Sequence, residues 1–279
     1  MGDRIPRNPF KEVEMRRRSF LAGLTILPAL PLVAHAAKGT LNIGIYPGTG
    51  KADIVMGDFR AYAMPFAQAL GAAVNAQPKL TLFRSIRSVM GSLKSGRLDL
   101  YFVPPSVAVA VLDHDYSPIA RVRDQATGVL VRRKGATVSA VALTEKESWL
   151  DVMARHTLRK NKIDGLKIYN FKTQDDVALS MQRDYAQAGS LRSKLADALV
   201  AKGEYEIWHP LPTTPDFTLM ASNRMSATEQ NRLGAAAVAL SPAAIQSLQQ
   251  TIHSKVTGFV IDKEADYKTI KQAIVEAGY

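Results

Sequence analysis

The run Ser88-Val89-Met90-Gly91-Ser92-Leu93-Lys94-Ser95-Gly96-Arg97-Leu98-Asp99-Leu100-Tyr101-Phe102-Val103-Pro104-Pro105-Ser106 decides the reading of this chain. Just ahead of it Ser85 caps a helix. Ile86, Val89, Met90 and Leu93 then recur at the three-and-four spacing that gathers apolar side chains on one helix face. Gly96 supplies the left-handed turn that ends such a helix. Leu98 to Val103 reads as a buried strand, and Pro104-Pro105-Ser106 stops it and starts the next helix.

The same alternation extends in both directions. Upstream, Leu41 to Tyr46 and Leu80 to Phe83 read as strands, with Phe59, Tyr62, Ala63, Phe66, Ala67 and Leu70 as the apolar residues of a helix between them. Downstream, Pro118 to Arg123 and Gly128 to Arg132 are extended segments that leave this unit, and a second α/β series opens with Val138 to Leu143. Thr144 with Glu147 has the pattern of a capping box for a long helix whose inner face is Leu150, Met153, Ala154, Thr157 and Leu158. Leu166 to Phe171 is the next strand, and Thr173 caps the next helix. Tyr185 to Gln187 reads as a brief strand, Ser190 to Ala201 as helix, and Tyr205 to Trp208 as strand. Pro210, Pro212 and Pro215 mark a stiff return connection into strand Phe217 to Ala221. Ser226 with Glu229, and Ser241 with Pro242, cap two more helices, and Glu264 to Ala277 closes the chain, with these last helices expected to pack back on the first unit.

The predicted fold is therefore α/β with two lobes, each a mainly parallel sheet flanked by helices, joined by two crossover segments. Residues 37–123 and 215–279 form the first lobe and 124–214 the second.

The N-terminus reads as an export signal. Met15-Arg16-Arg17-Arg18-Ser19-Phe20-Leu21 leads into an apolar stretch to Val33 that is too short, and too interrupted by Pro28 and Pro31, to cross a bilayer. Ala34-His35-Ala36 offers the small side chains a signal peptidase needs, which places cleavage between Ala36 and Ala37. Arg17-Arg18 followed by Phe20-Leu21 resembles the twin-arginine signal, with an ordinary Sec signal as the alternative. Either route ends outside the cytoplasm, in the periplasm.

The chain carries no cysteine, so it has neither a disulfide nor a thiolate chemistry to call on. Its formal charge is +11, and removal of the first 36 residues, with six basic and three acidic side chains, leaves about +8. The basic residues are scattered rather than interleaved with aromatics, which speaks against a nucleic-acid partner, while the excess concentrates small anions near any cleft.

Motifs for chemistry are sparse. Gly44-Ile45-Tyr46-Pro47-Gly48-Thr49-Gly50-Lys51-Ala52 has one residue too many between its first glycine and the Gly-Lys pair, and lacks the following hydroxyl, so it is not a nucleotide-hydrolysing loop. Gly48, Thr49 and Gly50 still let backbone N–H groups converge on an anion, the alternative being a simple turn. Ser106 sits at a helix start, where it either caps or meets an anion. Open α/β sheets bind ligands beyond the carboxyl ends of their strands, and Tyr46, Thr49, Arg84 and Ser106 all fall at such ends. No nucleophile elbow and no Ser-x-x-Lys occurs, and Asp113-His114-Asp115 reads as a solvated helix end rather than a metal site. Trp149 and Trp208 read as packing residues. No enzyme activity and no cofactor is expected.

With the crossings drawn, the chain resembles the phosphate and phosphonate-type periplasmic solute-binding proteins, which have the type II two-lobed binding fold and serve ATP-driven importers. The helix, Ser-Gly-Arg-x-Asp turn, strand and Pro-Ser loop over residues 88–106 are similar to theirs, as are Gly258-Phe259-Val260 and Asp266-Tyr267. The resemblance implies ligand contacts at Tyr46 to Gly50 and at Pro105-Ser106. In the second lobe such proteins often present a Ser-Thr-Ser run at a helix start. Here Thr144-Glu145-Lys146-Glu147-Ser148-Trp149 stands in its place, so that Thr144 and Ser148 are the available hydroxyls and two glutamates would repel an anion. The expected ligand is a small solute, anionic and phosphate- or phosphonate-like, and the expected partner is a membrane permease or, in the alternative role of sensor or adaptor, a membrane sensor. An exported enzyme is the third reading.

Overall fold

The first strand, β1 (Thr40–Ile45), is buried along most of its length, and β2 (Gln77–Leu82) and β3 (Leu100–Val103) pair with it in parallel on either side. The structure is a computed structural model that describes residues 39–48, 55–252, 254–262 and 267–279. The export signal, Thr49 and Gly50 lie outside these residues.

Local chemistry explains the first elements. Helix α1 (Met56–Ala73) buries Phe59, Ala63, Phe66, Ala67 and Leu70 on one face. Helix α2 (Ile86–Ser95) begins in a capping box between Ser85 and Ser88 and ends at Gly96, whose φ of 59° is the left-handed conformation the sequence anticipates. Asp99, in the turn that follows, accepts from the Asn42 backbone N–H at 2.8 Å and from its side-chain amide at 3.0 Å, which ties the turn to β1. Gly44 sits where an added Cβ would meet Leu98 Cδ1 at 2.6 Å and Phe83 Cε2 at 2.8 Å, so only glycine permits this packing. After β3 comes α3 (Pro105–Leu112), then β4 (Tyr116–Val122).

The chain next passes through β5 (Gln125–Ala126) into a second sheet. There β6 (Gly128–Arg133), β7 (Ala140–Leu143), α4 (Trp149–Lys160), β8 (Lys167–Asn170), α5 (Gln174–Gln182), β9 (Ala188–Arg192), α6 (Ser193–Val200) and β10 (Tyr205–Pro210) follow. It returns through β11 (Thr214–Pro215), which pairs antiparallel with β5. Strand β12 (Thr218–Ser222), α7 (Ala227–Val238), α8 (Pro242–Gln249), β13 (Phe259–Val260) and α9 (Lys268–Ala277) complete it.

Among the described residues the first sheet has the order β13-β4-β12-β3-β1-β2 and the second β10-β6-β9-β7-β8. Both are mixed sheets flanked by helices, as the two-lobed α/β reading expects, and neither is parallel throughout. In each sheet three adjacent strands are parallel (β3-β1-β2 and β9-β7-β8), and the remaining pairs are antiparallel. The strands next to the crossings cause this: β12 arrives from the other sheet and inserts against the direction of β3 and β4, and β6 does the same beside β9.

Two local expectations also change. The helix read from Thr144 starts at Trp149 and is capped by Ser148, because Glu147 adopts a φ of 66° that no helix can include, and Thr144 is fully buried with its hydroxyl on Ser148. The strand read at Tyr185 to Gln187 is instead β9, so Ser190 to Arg192 are strand rather than helix. Its Ala-Gly-Ser sequence carries little apolar signal because the space is taken: a Cβ on Gly189 would meet Met181 Sδ at 2.7 Å and Val177 Cγ1 at 2.8 Å.

One apolar cluster runs through both sheets' flanking helices, from Tyr46, Ile86 and Val107 to Val141, Trp149 and Met153. Helices α7 and α8 pack on α1, as expected of them, but α9 lies against both α3 and α4 and adds Ile270 and Ala273 to this cluster. Its start is held by Tyr267, whose hydroxyl donates to Asp262 Oδ2 at 2.5 Å and also meets the Thr218 hydroxyl. Phe259 of the Gly-Phe pair stacks on Phe66.

Candidate ligand-binding site

All six parallel strands point their carboxyl ends at one place. On the first sheet β1 delivers Tyr46, Pro47 and Gly48, β2 leads to Ile86, and β3 leads to Pro104, Ser106 and Val107. On the second, β7 leads to Ser148, Trp149 and Leu150, β8 to Gln174, and β9 to Arg192. Phe217 and Ser254 close the ring. The cavity they line is about 30 Å³, space for about two waters at the ~10–15 Å³ that one requires.

Four helices start at this cavity: Ile86 is the first residue of α2, Pro104 caps α3, Ser148 caps α4 and Gln174 is the first residue of α5. The first turn of a helix leaves N–H groups unpaired and carries a partial positive charge of about half a unit, so the cavity favours an anion from four directions. Ser106, 5% exposed, aims a hydroxyl here that has no hydrogen-bond partner among the described residues. A buried unpaired hydroxyl is unfavourable until something completes it.

Trp149 forms one wall. Its indole N–H donates to Thr214 Oγ1 at 2.8 Å, and the Arg192 guanidinium stacks 4.3 Å from its ring centre. Gly128 makes room for the indole, since a Cβ there would meet Trp149 Cζ3 at 3.1 Å and the Leu191 carbonyl at 2.9 Å. Arg192 donates two N–H bonds to the buried carboxylate of Asp216, at 3.3 and 3.2 Å, and its backbone N–H to Gln174 Oε1 at 2.8 Å. Its charge is thus largely matched within the protein.

The two sheets are also joined across the cavity rim. The Tyr46 hydroxyl donates to Glu145 Oε2 at 3.2 Å. Burial, reinforced by the Glu145 charge, pushes the Tyr46 phenol well above its ordinary range, so it remains a neutral donor. Burial, with Glu147 adding to it, also raises the Glu145 carboxyl, against the pull of the Tyr46 hydroxyl and Lys172.

Of the residues singled out from sequence, Tyr46, Gly48, Ser106 and Ser148 meet at the cavity. Gly48 has a φ of 79°, the left-handed geometry its glycine allows. Thr144 stands behind Ser148, its hydroxyl 2.6 Å from Ser148 Oγ, and does not line the space. Pro105 is buried beside Pro104 as the first residue of α3, and Arg84 is exposed and points to no described part of the cavity. His114 Nδ1 lies 2.8 Å from the Ala110 carbonyl at the end of α3. Sequence reasoning missed Gln174 and Arg192 and read Trp149 only as packing. For Gln174 a signal existed, because the Thr173 cap marks a helix start beyond a strand. Arg192 had none, since its stretch reads as helix.

The sequence model of the periplasmic substrate-binding proteins of phosphonate ABC transporters matches residues 58–267. No curated protein matches the chain significantly. Among solved structures, XAC2383 from Xanthomonas citri, bound to ATP, aligns at a TM-score of 0.68 and 14% identity over 86% of this chain and 97% of its own. PhnD1 from Prochlorococcus marinus, in complex with methylphosphonate, aligns at 0.67 and 13% over 86% and 98%. The periplasmic aliphatic sulphonate binding protein SsuA from Escherichia coli aligns at 0.57 and 12% over 85% and 91%. At these identities the likeness is one of fold, the type II periplasmic binding fold.

Proposed function

The chain belongs to the phosphonate-type periplasmic substrate-binding proteins of ABC transporters, and from that premise we propose that it captures a small phosphonate- or phosphate-like anion between its two sheets and hands it to the membrane permease of an ATP-driven importer. The observation that carries this reading is the convergence of four helix starts and the unpartnered Ser106 hydroxyl on one cavity. Donors whose acceptors the described residues do not supply suit an oxyanion, which brings both acceptor oxygens and negative charge. The methylphosphonate held by PhnD1 and the ATP held by XAC2383 both present phosphorus-bound oxygens, which supports the same class of head group here.

The role is capture rather than conversion. Tyr46, Gly48 and Ser106 would hold the anion from the first sheet, and Ser148, Trp149 and Gln174 from the second. A space of about 30 Å³ requires the sheets to part for entry and to close on the solute, a motion that a permease can sense. We assign residues 1–36 as the export signal, cleaved between Ala36 and Ala37; the intact mass of the exported chain tests that boundary.

The deciding experiment is thermal denaturation of the exported chain with methylphosphonate, inorganic phosphate, phosphite or sulfate. A ligand at a hundred times its dissociation constant adds about 2.7 kcal/mol, a rise in melting temperature that is easily read. If none of these anions raises it, capture of an oxyanion is overturned and a role as adaptor without a solute takes its place.

A further inference from the structure

Beside the small cavity, across Arg192 and Ser254, lies a second, far larger space of about 710 Å³. Those two residues line both. The volume falls within the roughly 300–1,000 Å³ of ordinary ligand sites, whereas the inner cavity of about 30 Å³ lies far below them. The outer chamber differs in chemistry as well. Gln125, Thr127, Ser193 and Gln250 present amides and hydroxyls, and Ile252 is the one apolar side chain among the described lining residues. Lys194 and Asp197 both line it, and Lys255 is held at 3.7 Å from Asp124, so the charges nearly balance. The Arg192 and Asp216 pair forms the sill between the two spaces, with Asp216 on the outer side.

Such a wall both donates and accepts hydrogen bonds and offers little net charge. An alkyl or aromatic substituent would strip water from these groups without replacing its hydrogen bonds. A neutral substituent rich in hydroxyls would exchange those waters for direct bonds. Building on the oxyanion site proposed above, we infer that the solute is bipartite: a phosphate or phosphonate head group in the inner cavity, esterified to or bonded to a neutral polyhydroxylated group of about sugar size that occupies the outer chamber. Arg192 touches both halves, which makes it the residue that sets their relative position.

Isothermal titration of the exported chain separates the possibilities. The probes are methylphosphonate and inorganic phosphate as bare head groups, and glycerol 3-phosphate and ribose 5-phosphate as substituted ones. At least one substituted probe is expected to bind ten-fold or more tightly than either bare anion. The double variant Gln125→Ala/Gln250→Ala is expected to erase that gain while leaving the bare anions within two-fold of the parent. Equal affinity for bare and substituted probes would overturn the bipartite solute and leave the oxyanion site standing. A gain that survives in the double variant would overturn the assignment of the outer chamber. If neither bare nor substituted probes bind, the oxyanion reading falls and this inference falls with it.

Discussion

Ser106 is the side chain whose structural and functional contributions separate most cleanly. Its hydroxyl is buried and unpaired, so removing it takes nothing from the fold. Ser106→Ala should leave the unfolding free energy within about 0.5 kcal/mol of the parent, while anion affinity falls about 10- to 100-fold, as a lost bond to a charged group implies. Paired denaturation and titration measure both, and a large stability loss at unchanged affinity would reduce Ser106 to a structural residue. Glu145 gives a pH signature. Its folded-state pKa is raised above the ordinary 4.5, so the folded protein binds this proton more tightly than the unfolded chain. The resulting stability is fully present below the unfolded value and disappears as pH rises through the raised one. Relative to Glu145→Gln, the wild type should therefore gain stability as pH is lowered from neutral towards 4.5. Parallel pH profiles of the two proteins, if found, would contradict this.

At the scale of elements, helix starts serve two masters. Ser148 and Ser226 both cap helices through their hydroxyls, accepting from Asp151 and Glu229 N–H groups at 3.4 and 3.3 Å. Each Ser→Ala change should cost about 1 kcal/mol in chemical denaturation. Only Ser148 lines the cavity, so only its replacement should weaken anion binding, and equal effects at both positions would show that the start of α4 contributes nothing to the ligand. The capping signals were largely legible in advance. Ser85, Thr173, Ser226 and Ser241 cap the helices assigned to them because a cap is decided within four residues. Thr144 failed the same test because its hydroxyl is taken by Ser148 and the left-handed Glu147 delays the helix.

For the whole molecule, α9 ties together elements far apart along the chain, packing on both α3 and α4. Its start is fastened beside β12 through Tyr267 and its end lies on α4, where the Tyr279 hydroxyl donates to Asp151 Oδ2 at 2.5 Å. Asp151 is fully buried and also receives Arg155 at 3.0 Å and Asn170 at 2.8 Å. Tyr279→Phe leaves the ring on α4 but removes a donor to a buried carboxylate, at a cost of about 1–3 kcal/mol. Urea denaturation should show that loss, and an unchanged midpoint would mean that α9 is held by its apolar face alone. Asp151 lies one turn beyond Ser148, so the far end of the chain braces the same helix start that faces the ligand.

The alternation of strand and helix, the Gly96 turn, most caps and the strand ends carrying Tyr46 and Ser106 are local properties, set by side-chain period and by backbone preference within a few residues, and the amino-acid sequence alone determined them. Sheet order was not local. Antiparallel insertion of β12 and β6 depends on how the chain crosses between sheets, which no periodicity encodes. The same holds for the pairing of Arg192 with Asp216, for the stacking of Arg192 on Trp149, and for the chamber beyond them. These residues are separated along the chain and meet only because two sheets turn their carboxyl ends toward one another, so tertiary structure alone decided which strand ends face the cavity and what lies outside it.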